Sequence, residues 1–192
     1  MTSDQLSFNF GAPALQTVHY FAVRPSRDAA SAVVALARGY RKNFGFAGHP
    51  YDAGRLHISL CEVRSRAGLR KGDLKTAQRA ADAVKRAPFT VTLDRLCSFK
   101  GRATHPIVLC CDEGEAELIE LRSALRCRLQ QAGLWQDRKH FKPHVTLLWD
   151  RRRVPDLSLR APIRWSVEDF VLVRSLFGRS RHVDLGRWPL RA

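Results

Sequence analysis

Arg55-Leu56-His57-Ile58-Ser59-Leu60 and Lys142-Pro143-His144-Val145-Thr146-Leu147 read as one strand written twice, 87 positions apart (144 minus 57). Each runs histidine, aliphatic, hydroxyl, leucine. Residues two apart in a strand point the same way. His57 and Ser59 therefore share one face while Ile58 and Leu60 fill the other, and His144 and Thr146 stand likewise against Val145 and Leu147. The same shift lays Tyr20-Phe21-Ala22-Val23 on Ile107-Val108-Leu109-Cys110, with a long helical stretch inside each half. Two coincidences at one shift argue for a duplicated α+β unit whose histidine strands come together.

The rest of the chain fits that frame. A strand over 18–23 stops at Arg24-Pro25, and Asp28 is placed to cap a helix carrying Val33, Leu36, Ala37, Tyr40 and Phe44 at the 3–4 spacing. Gly45 and Gly48-His49-Pro50 end it. The first histidine strand occupies 55–63, followed by a basic loop over 64–72, a helix near 74–86 and a strand over 89–99. The second half repeats the order: a strand over 106–111, a helix over 115–132 and the second histidine strand over 141–149. That helix has an acidic start and a basic end (Arg122, Arg126, Arg128), as the helix dipole favours. Two closing strands are expected at 163–175 and 182–185 around a turn at Gly178. Residues 1–16 read as a flexible leader, leaving 17–192 as a single bilobal domain.

Composition narrows the class of function. The chain of 192 residues carries 33 Lys+Arg against 18 Asp+Glu, a formal charge of +15, which points to polyanions. The five cysteines form no CxxC and no even framework, so they read as reduced thiols of a cytoplasmic protein. No apolar run approaches the ~20 residues of a membrane-spanning helix, so no membrane partner is expected. His140 and His144 are four apart as in a helical zinc motif, but Pro143 between them and the missing glutamate speak against it. There is no GxSxG around Ser59 and no Gly-rich ATP loop. Cys61 alternates onto the face of His57, where packing is the simpler role than nucleophile.

Two imidazoles and two hydroxyls facing one groove suit in-line attack on phosphorus. A base takes the proton of the attacking oxygen, and an acid on the far side gives one to the leaving oxygen. Imidazole, with a reference pKa near ~6.5, can do either. The hydroxyls of Ser59 and Thr146 can donate to the non-bridging oxygens, where negative charge sits in the transition state. This chemistry requires no metal and no cofactor.

On these residues the chain resembles the two-histidine (2H) phosphoesterase superfamily, and within it the bacterial and archaeal LigT-type group of 2'-5' RNA ligases and RNA 2',3'-cyclic phosphodiesterases. Tyr20-Phe21-Ala22-Val23-Arg24-Pro25 is similar to that group's opening strand and Phe141-Lys142-Pro143-His144-Val145-Thr146-Leu147 to its second motif. Trp165, Val171-Leu172-Val173-Arg174-Ser175 and Trp188-Pro189-Leu190 are similar to its closing strands. The resemblance implies an α+β fold of two ferredoxin-like halves with antiparallel sheets around a central groove. It implies His57 and His144 as catalytic and Ser59 and Thr146 as phosphate-binding. The implied reaction opens a 2',3'-cyclic phosphate to a 2'-phosphate, or joins 2'-5' linkages in reverse; our own hypothesis for hydrolysis takes His144 as base for water and His57 as acid.

Arg24, Lys100, Lys142 and Arg174 are the expected holders of RNA, with Tyr20 or Phe21 as a stacking surface. Two departures mark a divergent member. Trp149 stands where the group often has arginine in the pattern T-L-x-R, leaving Arg151, Arg152 or Arg153 to replace it, and Cys61-Glu62-Val63 follows the first motif with Glu62 alternating away from the histidine face. The competing readings are a basic RNA-binding module without turnover and a phosphodiesterase for a small cyclic nucleotide. The expected partner is RNA or a nucleotide with a cyclic phosphate, bound by a monomer. Gln5-Leu6-Ser7-Phe8 also resembles the short peptide that docks on bacterial sliding clamps.

Overall fold

The two histidine strands lie side by side in the middle of an eight-stranded antiparallel sheet. In the computed structural model, residues 17–63, 69–134, 141–176 and 181–191 are described, without the side chains of Lys71 and Arg181. The leader with its clamp-like peptide, most of the basic loop, His140 and the Gly178 turn lie outside them. The strands are β1 (Thr17–Val23), β2 (Ile58–Glu62), β3 (Phe89–Ser98), β4 (His105–Cys111), β5 (His144–Asp150), β6 (Leu157–Val167), β7 (Asp169–Leu176) and β8 (Arg181–Pro189). Their spatial order is β6-β3-β4-β5-β2-β1-β7-β8. Two four-stranded halves thus meet where β5 pairs with β2 through Ile58 and Val145. The expected α+β class and antiparallel halves are what the chain adopts.

The helices exchange halves. α1 (Arg27–Phe44) follows β1 but packs on β5 and β6, while α3 (Glu115–Gln131) follows β4 but packs on β2. α2 (Lys71–Asp82) packs on α3 and β8. One apolar cluster runs from both halves of the sheet into all three helices. The opposite face of the sheet carries only two small clusters: Tyr20, Ala22, Val171 and Val173 on one half, and Cys97, Val108 and Cys110 on the other. That second face is where the histidines stand.

Local chemistry moves several boundaries. Ser26, not Asp28, caps α1 by accepting from the Ala29 N–H at 3.2 Å, and Gly45 closes it at φ 63°, a left-handed conformation suited to glycine. α2 ends earlier than expected, at Asp82, and begins earlier because the Asp73 carboxylate caps its start, accepting from the Arg70 N–H at 2.8 Å. Arg122 lies mid-helix in α3 and is buried, so of the three expected cations only Arg128 is in the last turn. The expected strand 163–175 is two strands. The segment 157–176 pairs with β3 as far as Val167 and with β1 from Thr17↔Leu176 through Ala22↔Val171. Its alternation changes phase at Glu168, whose carbonyl accepts from the Leu190 N–H at 2.8 Å.

The repeat itself is offset by one residue. Ala22 pairs with Ser59 and Val108 with Thr146, so β1 maps on β4 with a shift of 86 (108 minus 22), while the histidine strands keep 87. A one-residue slip reverses every side chain. The shift of 86 puts Phe21 and Val23 in the core with Ile107 and Leu109; a shift of 87 would not. Both histidine strands also bulge at the same place, their ladders slipping by one residue around Leu60 and Leu147. A bulge takes a carbonyl off the ladder, and both are satisfied elsewhere. Arg122 Nε donates to the Leu60 carbonyl at 3.2 Å and the Tyr51 N–H to the Leu147 carbonyl at 2.8 Å.

Those bulges overturn two expectations. Beyond them the faces exchange, so Cys61 joins Leu60 in the core instead of His57 in the groove. Its Sγ lies 3.6 Å from the Arg122 carbonyl and burial pushes the thiol up to about 12, which removes it as a nucleophile. Glu62 pairs with Tyr20 and therefore turns toward the groove, not away from it. Trp149 is its counterpart at the 87 shift (149 minus 62).

Candidate active site

Both imidazoles are held in the same way. His57 Nδ1 lies 2.7 Å from the Arg55 carbonyl and His144 Nδ1 lies 2.7 Å from the Lys142 carbonyl. A carbonyl only accepts, so each Nδ1 carries the proton and donates, which fixes the tautomer with a bare Nε2 on each ring. The antiparallel register through Ile58 and Val145 sets His57 opposite Thr146 and Ser59 opposite His144. The two histidines then stand on a diagonal of roughly 7–8 Å, with the hydroxyls at the other corners. A phosphate can sit between two such nitrogens.

The surroundings differ between halves. On the β1–β8 side, the Tyr20 ring is 5.0 Å and the His182 ring 5.3 Å from His57, and the Tyr20 hydroxyl is 3.4 Å from His182 Nε2. Arg24 donates to Asp184 at 2.6 Å and to the Gly54 carbonyl at 2.9 Å. Arg24, Leu56, His182 and Asp184 line a recess of about 420 Å³ beside the histidine. Burial pushes His57 down to about 4 against the pull of its bond to Arg55, and His182, Arg24 and His144 add to the fall. His182 is driven to about 4 by burial and then by Arg55 and Arg24.

On the β3–β4 side an aromatic ring and two thiols lie nearest the histidine, with Arg95, paired with Asp112 at 3.1 Å, one strand further out opposite Cys110. Phe99 meets the His144 ring edge-on at 4.8 Å. Cys110 pairs directly with His144 across the sheet, with Cys97 Sγ 3.3 Å from its own. Burial lowers the His144 pKa, opposed by the bond to the Lys142 carbonyl, with no cation adding to the fall.

The weaker expectations fare unevenly. Tyr20 and Arg24 lie beside His57. Phe21 does not, being 0% exposed and packed against Phe170 and Trp188, because its side of β1 faces the core. Arg174 pairs with His19 and Val183 on the face away from Tyr20 and Val173, so it too leaves the groove. Lys142 contributes its carbonyl to His144 while its ammonium is held by Glu115 at 2.9 and 3.0 Å. Lys100 is exposed in the β3–β4 connection and Arg151 is exposed after β5. Arg152 caps α1, donating to the Phe44 carbonyl at 3.0 Å, and so is no stand-in for the arginine that Trp149 displaces. His182 and Asp184 were missed, although their alternation on one strand was readable. Among the described residues no group of three or more His, Cys, Asp or Glu is arranged to hold a metal ion. No described helix is long and apolar enough to cross a membrane.

An antiparallel sheet of two joined halves, with a histidine–hydroxyl strand from each at the seam, is the frame of a two-histidine phosphoesterase. The chain belongs to the 2'-5' RNA ligase superfamily, whose family model matches residues 25–178, and it is an enzyme of that kind. It is 30% identical over 149 residues to the RNA 2',3'-cyclic phosphodiesterase of Escherichia coli K12, covering 75% of this chain and 81% of that one. The crystal structure of E. coli LigT with 3'-AMP matches with a TM-score of 0.74 at 25% identity, over 92% of this chain and 99% of that one. TT0787 of Thermus thermophilus shares the fold with a TM-score of 0.74 at 23% identity, over 91% and 98%.

Proposed function

We propose that the protein is a metal-independent phosphodiesterase of RNA ends that opens a 2',3'-cyclic phosphate to a 2'-phosphate, with His57 and His144 as the acid–base pair. The observation that carries this is the matched pair of Nδ1-to-carbonyl bonds at 2.7 Å, which leaves two bare Nε2 atoms with a hydroxyl two residues beyond each. The +15 charge and the cyclic phosphodiesterase relative in E. coli favour RNA as the substrate.

The electrostatics favour roles opposite to the hypothesis drawn from the sequence. His57, with His182 and Arg24 beside it, is the ring held more firmly neutral, so its Nε2 takes the proton from water. His144, with no cation lowering it further, takes up a proton when the phosphate anion arrives and gives it to the departing ribose oxygen. Ser59 and Thr146 donate to the non-bridging oxygens. In the ligation direction the two roles exchange.

The test is hydrolysis of a short RNA ending in a 2',3'-cyclic phosphate, in EDTA, by wild type, His57→Ala and His144→Ala. Each substitution is expected to cost roughly 10²- to 10⁴-fold in kcat. Turnover that survives in both variants refutes the site. Salt-sensitive RNA binding with no turnover in wild type replaces the enzyme by a binding module. Product bearing a 3'-phosphate overturns the assigned leaving oxygen.

A further inference from the structure

The two halves share a backbone, yet the groove-facing position after each bulge carries opposite chemistry: Glu62 on β2 and Trp149 on β5. Counting along β5, His144 and Thr146 face the groove, Leu147 and Leu148 both enter the core at the bulge, and Trp149 returns to the groove face. Trp149 is 46% exposed, whereas Phe21, Trp165 and Phe170 on the sheet are buried and Phe89 and Trp188 half-buried. It also stands in a row. Trp149 pairs with Pro106 on β4, and the Phe99 N–H, at the end of β3, bonds to the Pro106 carbonyl at 3.1 Å. Phe99 in turn presses its ring on His144. Phe99, Pro106 and Trp149 thus stand nearest His144 on the β5 half, with the Arg95–Asp112 pair further out, whereas Arg24, His182 and Asp184 line the β2 half.

We propose that Trp149 is the platform on which the base of the bound nucleotide stacks. This deepens the reading above and rests on it. Trp149 lies three residues from Thr146, at most about 10 Å along the strand and less across a bulge. A phosphate held at His144 and Thr146 places its own nucleoside within that span. An indole offers a flat apolar face that accepts any base, so it gives affinity for a nucleoside without choosing among them. Among the described residues the groove's other half, with its paired Arg24 and Asp184, offers hydrogen bonds and charge but no comparable open ring. The backbone keeps Trp149 in place from behind: a Cβ on Gly48 would come within 1.9 Å of the Trp149 carbonyl, so the α1 end docks there only because position 48 is glycine. An arginine at 149 would hold a phosphate by charge; the tryptophan moves that binding energy to the base.

The experiment is isothermal titration of adenosine 2'-monophosphate and of inorganic phosphate into wild type, Trp149→Ala and Trp149→Phe. Stacking on an aromatic side chain is worth about 1–3 kcal/mol. Adenosine 2'-monophosphate is therefore expected to weaken roughly 5- to 150-fold in the alanine variant and within about threefold in the phenylalanine variant, with phosphate unchanged in both. Three results overturn the proposal: no binding of the nucleotide to wild type, equal binding to wild type and Trp149→Ala, or a loss of inorganic phosphate as large as that of the nucleotide. Binding that behaves as expected in a protein that turns over no cyclic phosphate sinks the proposed reaction and leaves the platform standing.

Discussion

Replacing His57 by asparagine tests whether its imidazole is neutral in the folded protein. Its folded pKa is about 4 against a reference of 6.5, lowered first by burial and then by His182, Arg24 and His144. Between those values the unfolded chain binds a proton that the folded chain refuses, so stability rises with pH there. The contribution is intact above pH 6.5, is lost as pH falls, and is fully lost near pH 4. At 1.36 kcal/mol per pH unit the whole window is worth up to ~3 kcal/mol, of which roughly 2 kcal/mol is gone by pH 5. Solvent still reaches part of the ring, so the observable loss between pH 7.5 and pH 5 is about 1–2 kcal/mol. Urea unfolding at both pH values, followed by tryptophan fluorescence, measures it. Asparagine does not titrate, so His57→Asn is expected to lose less stability than wild type by that amount, while the carboxylates common to both chains cancel. Parallel losses in the two proteins refute the argument, as does a His57 ring resonance that titrates near its reference value.

The hydroxyls give a second test. Ser59→Ala and Thr146→Ala are each expected to lower kcat on the cyclic substrate by roughly 10- to 10³-fold, since each removes one donor from the developing charge; unaltered kcat in either variant removes that residue from the site. Asp150 is a structural counterpart, buried and accepting from the Gly48 N–H at 2.9 Å and the Arg152 N–H at 2.8 Å. Asp150→Ala leaves both donors unpaired and is expected to cost about 2–4 kcal/mol, a Tm fall of roughly 4–16 °C. The exposed Arg86–Glu120 pair at 2.9 Å is the control, and Glu120→Ala is expected to cost under ~1 kcal/mol. Equal shifts in the two variants contradict the account of Asp150.

What could be read from the sequence followed from how local the signal was. That His57 and Ser59, and His144 and Thr146, share one face of adjoining strands was legible because period-two alternation and a hydroxyl two residues on are properties of six adjacent residues. The bulges were harder. Their only trace is two adjacent apolar residues, Leu60-Cys61 and Leu147-Leu148, after strict alternation, and that pattern also fits a strand end. Missing them reversed Cys61 and Glu62. The misplaced closing strand left a clearer mark, since Ile163, Trp165 and Val167 are odd-numbered and Phe170 and Leu172 even, which signals a break at Glu168. Phe21 and Arg174 failed for another reason: an aromatic or a cation in a strand does not declare its face until pairing fixes it. Arg122 failed because a basic residue near a helix end reads as solvated, whereas here it lies over the Phe141 ring, 4.6 Å from its centroid, and ties α3 to the bulge of β2.

A duplicated frame raises a problem that the flanks resolve. Two identical half-sites would give two imidazoles with the same proton affinity, and an acid–base pair works only when one ring is protonated while the other is bare. The backbone keeps the symmetry, through matching bulges and matching Nδ1-to-carbonyl bonds. The side chains break it. Arg24, paired with Asp184, and the His182 ring lie near His57, while the ring against His144 is Phe99 and Lys142 beside it is paired with Glu115. Burial lowers both rings, and at His57 Arg24 adds to the fall, which leaves His144 the ring an arriving phosphate charges more readily. Under the proposed roles the divergence of the two halves is part of the chemistry, because the asymmetry that would separate acid from base also leaves the His57 flank polar and sets Phe99 and Trp149 on the other.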